Sequence, residues 1–343
     1  MKRVKTDFVI ARAHMQKNSW IWPLVKIVFT IFVLAFLFRK TSLHELAGKI
    51  SEVDGRLVCV SIMVLFLLNL NVAIRWRIIL RHFGVIRPLL SLWRFTMIGA
   101  FFNQFLPSGM GGDIFRIWYV QGSGVPFGRA VACVVVDRVI GLLGLFIVVA
   151  IGVPYLLATT QNEAVQTLIL ILVALMAGAI AVFLRLDLVS RALCKFAYFC
   201  KWDRESGRLA ALLNGAETCA ANTRSLLRAW PDGFVTLTLS VINQTALGLL
   251  VFMLARGAGN QLELFAALFV FPFVLLFSML PISVAGWGVR ESAMVVAFSE
   301  LGMPMDIALG VSILFGICLI ISTLPGACLW LLRYPRLTKQ IDN

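Results

Sequence analysis

Asn103-Gln104-Phe105-Leu106-Pro107-Ser108-Gly109-Met110-Gly111-Gly112-Asp113-Ile114-Phe115-Arg116 breaks one apolar stretch of the chain, 92–120. Leu280-Pro281-Ile282-Ser283-Val284-Ala285-Gly286-Trp287-Gly288-Val289-Arg290-Glu291 breaks another, 262–304. Each run has Leu-Pro, a few residues, two close glycines, and then an acid and an arginine. Proline ends a helix, and glycine permits backbone angles that other residues avoid. Pro107, Gly111 and Gly112 are the expected hinge of the first run, and Pro281, Gly286 and Gly288 that of the second. Inside a bilayer, non-helical backbone must be shielded by protein or line a watery cavity. Matching interruptions in two halves of a membrane protein point to a binding site.

That the surroundings are a bilayer follows from composition. Of 343 residues, 60% are hydrophobic and 14% charged, where soluble domains carry about 25% charged residues. The apolar residues run in stretches at 20–38, 57–74, 132–157, 165–184, 233–256 and 306–332, and roughly 20 apolar residues in a helix cross the hydrocarbon core. The 20–38 run is a retained anchor, because Arg39-Lys40 follow it where a signal peptide needs small residues. Domain expectations are a basic arm at 1–19, one membrane domain over 20–335, and a short tail at 336–343.

The net charge of +14 lies between the apolar runs, as the Lys/Arg bias of cytoplasmic loops requires. It also favours anionic lipid at those loops, so no nucleic-acid partner is implied. The seven cysteines are scattered without a C-x-x-C pair and read as reduced residues rather than a disulfide frame. His14, His44 and His82 are far apart, so neither a metal nor another cofactor is expected.

Loop charge fixes the topology. The arm has Lys2, Arg3, Lys5, Arg12 and Lys17, and segment 75–94 has Arg75, Arg77, Arg81, Arg87 and Arg94 with no acid. Segment 185–230 and the tail are basic too, whereas 158–164, 299–306 and 257–264 have no basic residue and 39–56 has four basics against three acids. Both termini are therefore expected in the cytoplasm of a cell-membrane protein. The stretch 92–120 must enter and leave from the cytoplasmic face, and 262–304 from the external face. The expected fold is an all-α polytopic membrane protein with about six full spans and two broken re-entrant hairpins in inverted arrangement. If 262–280 crosses fully, 289–304 returns as a short helix and the sidedness is unchanged.

The charged residues near the breaks are the candidate site. Asp137 and Arg138 lie a few residues into the 132–157 run, where charge in hydrocarbon is costly and usually functional. They are either an interfacial pair or site residues, and pairing with Arg116 or Asp113 in the adjacent hairpin would favour the site. Adjacent residues do not face each other on a helix, so Arg290 and Glu291 are each expected to meet a partner elsewhere, phosphate in the case of Arg290. Asn69, Asn71, Asn243 and Gln244 suit hydrogen bonds between helices, and Lys26 suits a snorkelling lysine. Segment 185–230 mixes Leu and Phe with Lys and Arg, as interfacial amphipathic helices do; docking of a lipid-modifying enzyme is a second use for it.

The run Asn103–Arg116, the Asp137-Arg138 pair, Arg75-Trp76 and the run Pro281–Glu291 together resemble the lysylphosphatidylglycerol synthase transmembrane, flippase-like family. The resemblance covers about residues 20–335. It implies a multi-span protein, some members translocating lipids with modified headgroups and others accompanying hopanoid or glycolipid pathways. Asp113 and Asp137 stand where the family more often shows Glu. The chain ends soon after its last apolar run, so the soluble aminoacyl-transferase domain of bifunctional members, and lysine transfer with it, is not expected.

The function expected is passage of a phospholipid or lipid-linked headgroup between the hairpins rather than catalysis. Arg116, Arg138 and Arg290 would attract phosphate, while Asn103, Asp113, Asp137 and Glu291 hold the groove or meet a cationic headgroup. No G-x-x-x-x-G-K-[ST] loop occurs, so movement is passive or coupled to an ion gradient or to lipid metabolism. The alternatives are an intramembrane enzyme acting on a lipid phosphate or polyprenyl-linked sugar, and an accessory scaffold. Oligomeric state is not legible.

Overall fold

The computed structural model describes residues 53–186 except 107–110 and 123, residues 207–339 except 281, and single positions among 26–37 and at 48. Every regular element among them is helical. In chain order these are α1 (Gly55–His82), α2 (Leu89–Phe105), α3 (Gly111–Gln121), α4 (Phe127–Thr159), α5 (Glu163–Leu184), α6 (Gly207–Arg228), α7 (Asp232–Gly257), α8 (Leu264–Ser278), α9 (Val289–Ser299) and α10 (Met305–Lys339). The helix starts are marked chemically. Asp54 and Asn162 cap α1 and α5, accepting from the Arg56 and Ala164 N–H groups. Pro88, Pro126 and Pro231 stand at the N-caps of α2, α4 and α7.

Five described helices are long and apolar enough to cross a membrane: α1, α4, α5, α7 and the Met305–Leu332 part of α10. The sixth expected span, 20–38, lies largely outside the described residues, as do the arm 1–19 and the positions Pro107 and Pro281. Lys26 is described; it is helical and buried in protein, so it does not snorkel to a boundary as the sequence suggested. The second span was expected to end at residue 74. Instead α1 continues to His82 with Ala73, Trp76, Ile79 and Leu80 buried along one side, because no helix breaker occurs before Gly84.

Both broken stretches are helical hairpins. The first pairs the 17 residues of α2 with the 11 of α3; the second pairs the 15 of α8 with the 11 of α9. All four are shorter than the roughly 20 residues that a perpendicular crossing takes. The arms of the first hairpin run antiparallel, with Phe95 stacked on Tyr119 at 3.9 Å and Phe102 on Phe115 at 4.3 Å. Gly99 and Gly112 bring the two backbones into contact, for a Cβ on Gly112 would lie 1.9 Å from the Gly99 carbonyl oxygen.

The packing has an internal correspondence. Exchanging α1 with α7, α2 with α8, α3 with α9 and α4 with α10 carries every well-packed pair of these eight helices onto another such pair. Thus α2 lies on α1, α3 and α10, and α8 lies on α7, α9 and α4. The exchanged helices α1 and α7 are antiparallel: Leu57 approaches Gly257 at one end, and Asn71 donates to the Leu239 carbonyl toward the other. Of the amides expected to join helices, Asn71 therefore does so, whereas Asn69 donates to Leu65 of its own helix. Helices α5 and α6 stand outside the exchange and pack on α4 and on each other. Buried Cys219, Ala220, Thr223 and Leu226 dock α6 on this body, so the described part of 185–230 is tied to protein as well as suited to an interface.

Candidate functional site

Three helices deliver charged side chains to one cluster, Arg75 from α1, Asp113 and Arg116 from α3, Asp137 and Arg138 from α4, and α7 adds Ser240. Asp137 lies at its centre and is 1% exposed. Its Oδ1 accepts from Arg75 Nε at 2.8 Å, and its Oδ2 accepts from Arg116 Nη2 at 2.8 Å. Arg75 also donates through Nη1 to Ser240 Oγ at 2.9 Å. A carboxylate so buried would be costly alone; two guanidinium groups in charge-assisted contact offset its desolvation.

Asp113 sits one step outward. Arg138 grips both of its oxygens, Nε to Oδ2 at 2.9 Å and Nη2 to Oδ1 at 3.0 Å, and Arg116 Nη1 stands 3.6 Å from Oδ1. The Arg138 side chain is 46% exposed and forms the open edge of the cluster. Arg116 is 5% exposed, its guanidinium 4.3 Å from the centre of the Trp76 ring. Its Nε is buried without a partner. The Asp137-Arg138 pair thus engages the hairpin through Arg116 and Asp113, the pairing expected to favour a site over an interfacial pair.

Asn103 does something else. Its Oδ1 accepts from the Gly112 N–H at 2.7 Å, tying the end of α2 to the start of α3 across the break. Gly111 and Gly112 are buried in the first turn of α3, where the Leu106 side chain crowds Gly111 and the Gly99 backbone leaves Gly112 no room for a side chain.

The second hairpin builds a separate and more closed box. Gly288, with φ +84°, is the N-cap of α9, and Gly286 and Ala285 before it also take positive φ. Glu291 is fully buried and folds back so that Oε2 accepts from the Gly288 N–H. Its Oε1 accepts from Arg290 Nη2 at 2.6 Å and from Arg290 Nε at 3.1 Å. The expectation that these neighbours would face apart is overturned. At the first turn of a helix the glutamate curls past the helix end, where the long arginine reaches it. Ser312 of α10 lies 3.3 Å from both Arg290 Nε and Glu291 Oε1, and Arg290 sits 4.7 Å from the Trp287 ring centre.

The hairpins therefore repeat one chemistry: an arginine on a tryptophan face, held by a carboxylate, with a serine from a long helix beside the arginines. They are separate clusters, and nothing described brings Arg290 or Glu291 to Arg116. Arg75, Trp76, Ser240, Trp287 and Ser312 were not singled out as site residues from sequence. For Arg75 a signal existed, since the apolar spacing of Ala73, Trp76 and Leu80 carries the helix past it and buries it. Among the described residues, no group of His, Cys, Asp and Glu could hold a metal ion.

Comparison with known proteins agrees with the helical body. The model of a family described as the lysylphosphatidylglycerol synthase TM region matches residues 24–326. A UPF0104 membrane protein of Methanocaldococcus jannaschii is 21% identical over 309 residues, covering 87% of this chain and 89% of its own length. The chain belongs to the lysylphosphatidylglycerol synthase TM region family.

Proposed function

We propose that this family member translocates a phospholipid or lipid-linked headgroup, as a transporter rather than an enzyme. The observation that carries the proposal is the arginine-rich cluster at the first hairpin, with Arg138 on its open edge and an unpartnered donor on Arg116. A buried cationic group with spare donors attracts phosphate, and arginine suits that role through its planar fork. The tails would stay in the bilayer while the headgroup meets Arg138 first.

The exchange of packing partners between the two groups of helices supports an inverted repeat, with α2–α3 and α8–α9 as re-entrant hairpins opening from opposite faces. In such an arrangement a site near the repeat boundary can be reached from either side as one repeat moves against the other. The Arg290–Glu291 box, which is neutral and closed, then holds the second hairpin rather than the headgroup.

The test is the rate at which fluorescent-headgroup lipids become accessible to dithionite in proteoliposomes. The intact protein should raise that rate over empty vesicles. Arg138→Gln should lower it roughly tenfold, the order of one charge-assisted hydrogen bond, with the melting temperature kept within a few degrees. Equal rates with and without protein, for several headgroups, would sink the proposal.

A further inference from the structure

We infer that the first cluster selects a lipid by the charge of its phosphate, taking a phosphodiester in preference to a phosphomonoester. This rests on the translocation reading for its biological use and adds to the same cluster its balance of charge. The ion-paired group joins three guanidinium groups, Arg75, Arg116 and Arg138, to two carboxylates, Asp113 and Asp137. Three positive charges against two negative leave one uncompensated positive charge.

The hydrogen bonds locate it. Asp137 has one oxygen on Arg75 and the other on Arg116, and Asp113 has both oxygens on Arg138. Arg116 thus has one full-strength carboxylate contact, a long one of 3.6 Å to Asp113, and a buried Nε that donates to nothing. A buried cationic donor left unsatisfied is costly, so this is where an added oxyanion gains most. Trp76 covers one face of the same guanidinium and confines the approach to its edge.

One added negative charge brings the group to neutrality. A phosphodiester carries one. A phosphomonoester carries about 1.5 to 2 at neutral pH and overfills the cluster beside Asp113 and Asp137. A headgroup whose phosphate is fully esterified offers no oxyanion at all. Arg116 is therefore the specificity-determining residue, and Asp113 sets the charge it can accept, because it competes with the lipid for Arg116 and Arg138.

Native mass spectrometry of the full chain, after exchange into detergent with equimolar phosphatidylglycerol, phosphatidic acid and O-ethylphosphatidylcholine, tests this. The expected order of retention is phosphatidylglycerol, then phosphatidic acid, then the ethyl ester, with roughly tenfold between first and last. Asp113→Asn adds one positive charge to the group and should bring phosphatidic acid level with or above phosphatidylglycerol. Arg116→Lys keeps the charge but puts a methylene where Nε stands, and should lower phosphatidylglycerol retention roughly tenfold.

Equal retention of the three lipids by the intact protein, or an order unchanged in both variants, overturns the inference. Should Asp113→Asn fail to fold, Arg116→Lys decides alone. Dimethyl phosphate, the same diester without tails, should not raise the melting temperature. A rise matching that of phosphatidylglycerol assigns the site to a soluble diester and overturns the lipid. Lipids that rank as stated but do not move in proteoliposomes would remove the translocation reading and keep the selective site; movement without ranking would do the reverse.

Discussion

Asp137 is the residue on which the first cluster depends. Both of its oxygens hold an arginine, from α1 and from α3, while it stands on α4. Replacing it with asparagine keeps the shape and removes the charge, leaving Arg75 buried without a carboxylate and Arg116 with only the 3.6 Å contact to Asp113. Breaking a buried pair on one side costs about 3–5 kcal/mol. Asp137→Asn should therefore lower the unfolding free energy in detergent by about that much and the midpoint with it, whereas Arg138→Gln, at the open edge, should leave the midpoint nearly unchanged. Equal midpoints for the two variants would show that Asp137 is not the keystone. The sequence named Arg116 or Asp113 as the partner that would favour a site at Asp137-Arg138, because charge in an apolar run is costly, and left an interfacial pair open. It did not assign Arg75 to the cluster, because loop-charge counting places an arginine at the end of an apolar run in the loop. It also misplaced the partner of Arg290, because helix periodicity says nothing about a glutamate that folds back over its own N-terminus.

At the scale of the element, the first hairpin is held by the contact of Gly99 with Gly112 and by the Asn103 amide across the break. The two aromatic stacks beside them set the spacing of α2 and α3, so neither helix can move away without losing ring contact. A methyl group on Gly112 would meet backbone, which cannot swing aside as a side chain can. Gly112→Ala should force the helices apart, shift Asp113 and Arg116 relative to α4, and cost about 1–3 kcal/mol as overpacking does. The check is a lower melting temperature together with lost translocation; Ala at Gly128, which has nothing nearby, should show neither. The existence of both hairpins was legible, because Pro and Gly announce a break. Their closeness was not, since which glycine faces which depends on the rotation of two helices about their axes.

At the scale of the whole molecule, the three connections without basic residues, 158–164, 257–264 and 299–306, gather at one end with the charge-balanced segment before α1. Val53, Ala258 and Asp306 line one small cavity, and Tyr155 near the end of α4 donates to Glu263 before α8 at 2.6 Å. The chain thus brings the loops around 53, 160, 260 and 304 together although they are distant in sequence. The Arg-rich connection after α1 lies at the opposite end of that helix from Val53. An end poorer in Lys and Arg is translocated more readily than a richer one; the Val53 end carries Arg56 and Arg256 against the five arginines of 75–94, so it should face outward. Single cysteines in an otherwise cysteine-free chain test this in intact cells. Gln161→Cys, exposed beyond α4, should react with a membrane-impermeant maleimide without permeabilisation. Ile86→Cys, 82% exposed after α1, should react only once the membrane is opened. The reverse pattern would invert the molecule, and with it the face from which Arg138 first meets a headgroup. Reaction of both positions in intact cells would mean that α1 does not separate them across the bilayer, and neither the five-helix body nor the opposed hairpins could then stand as drawn.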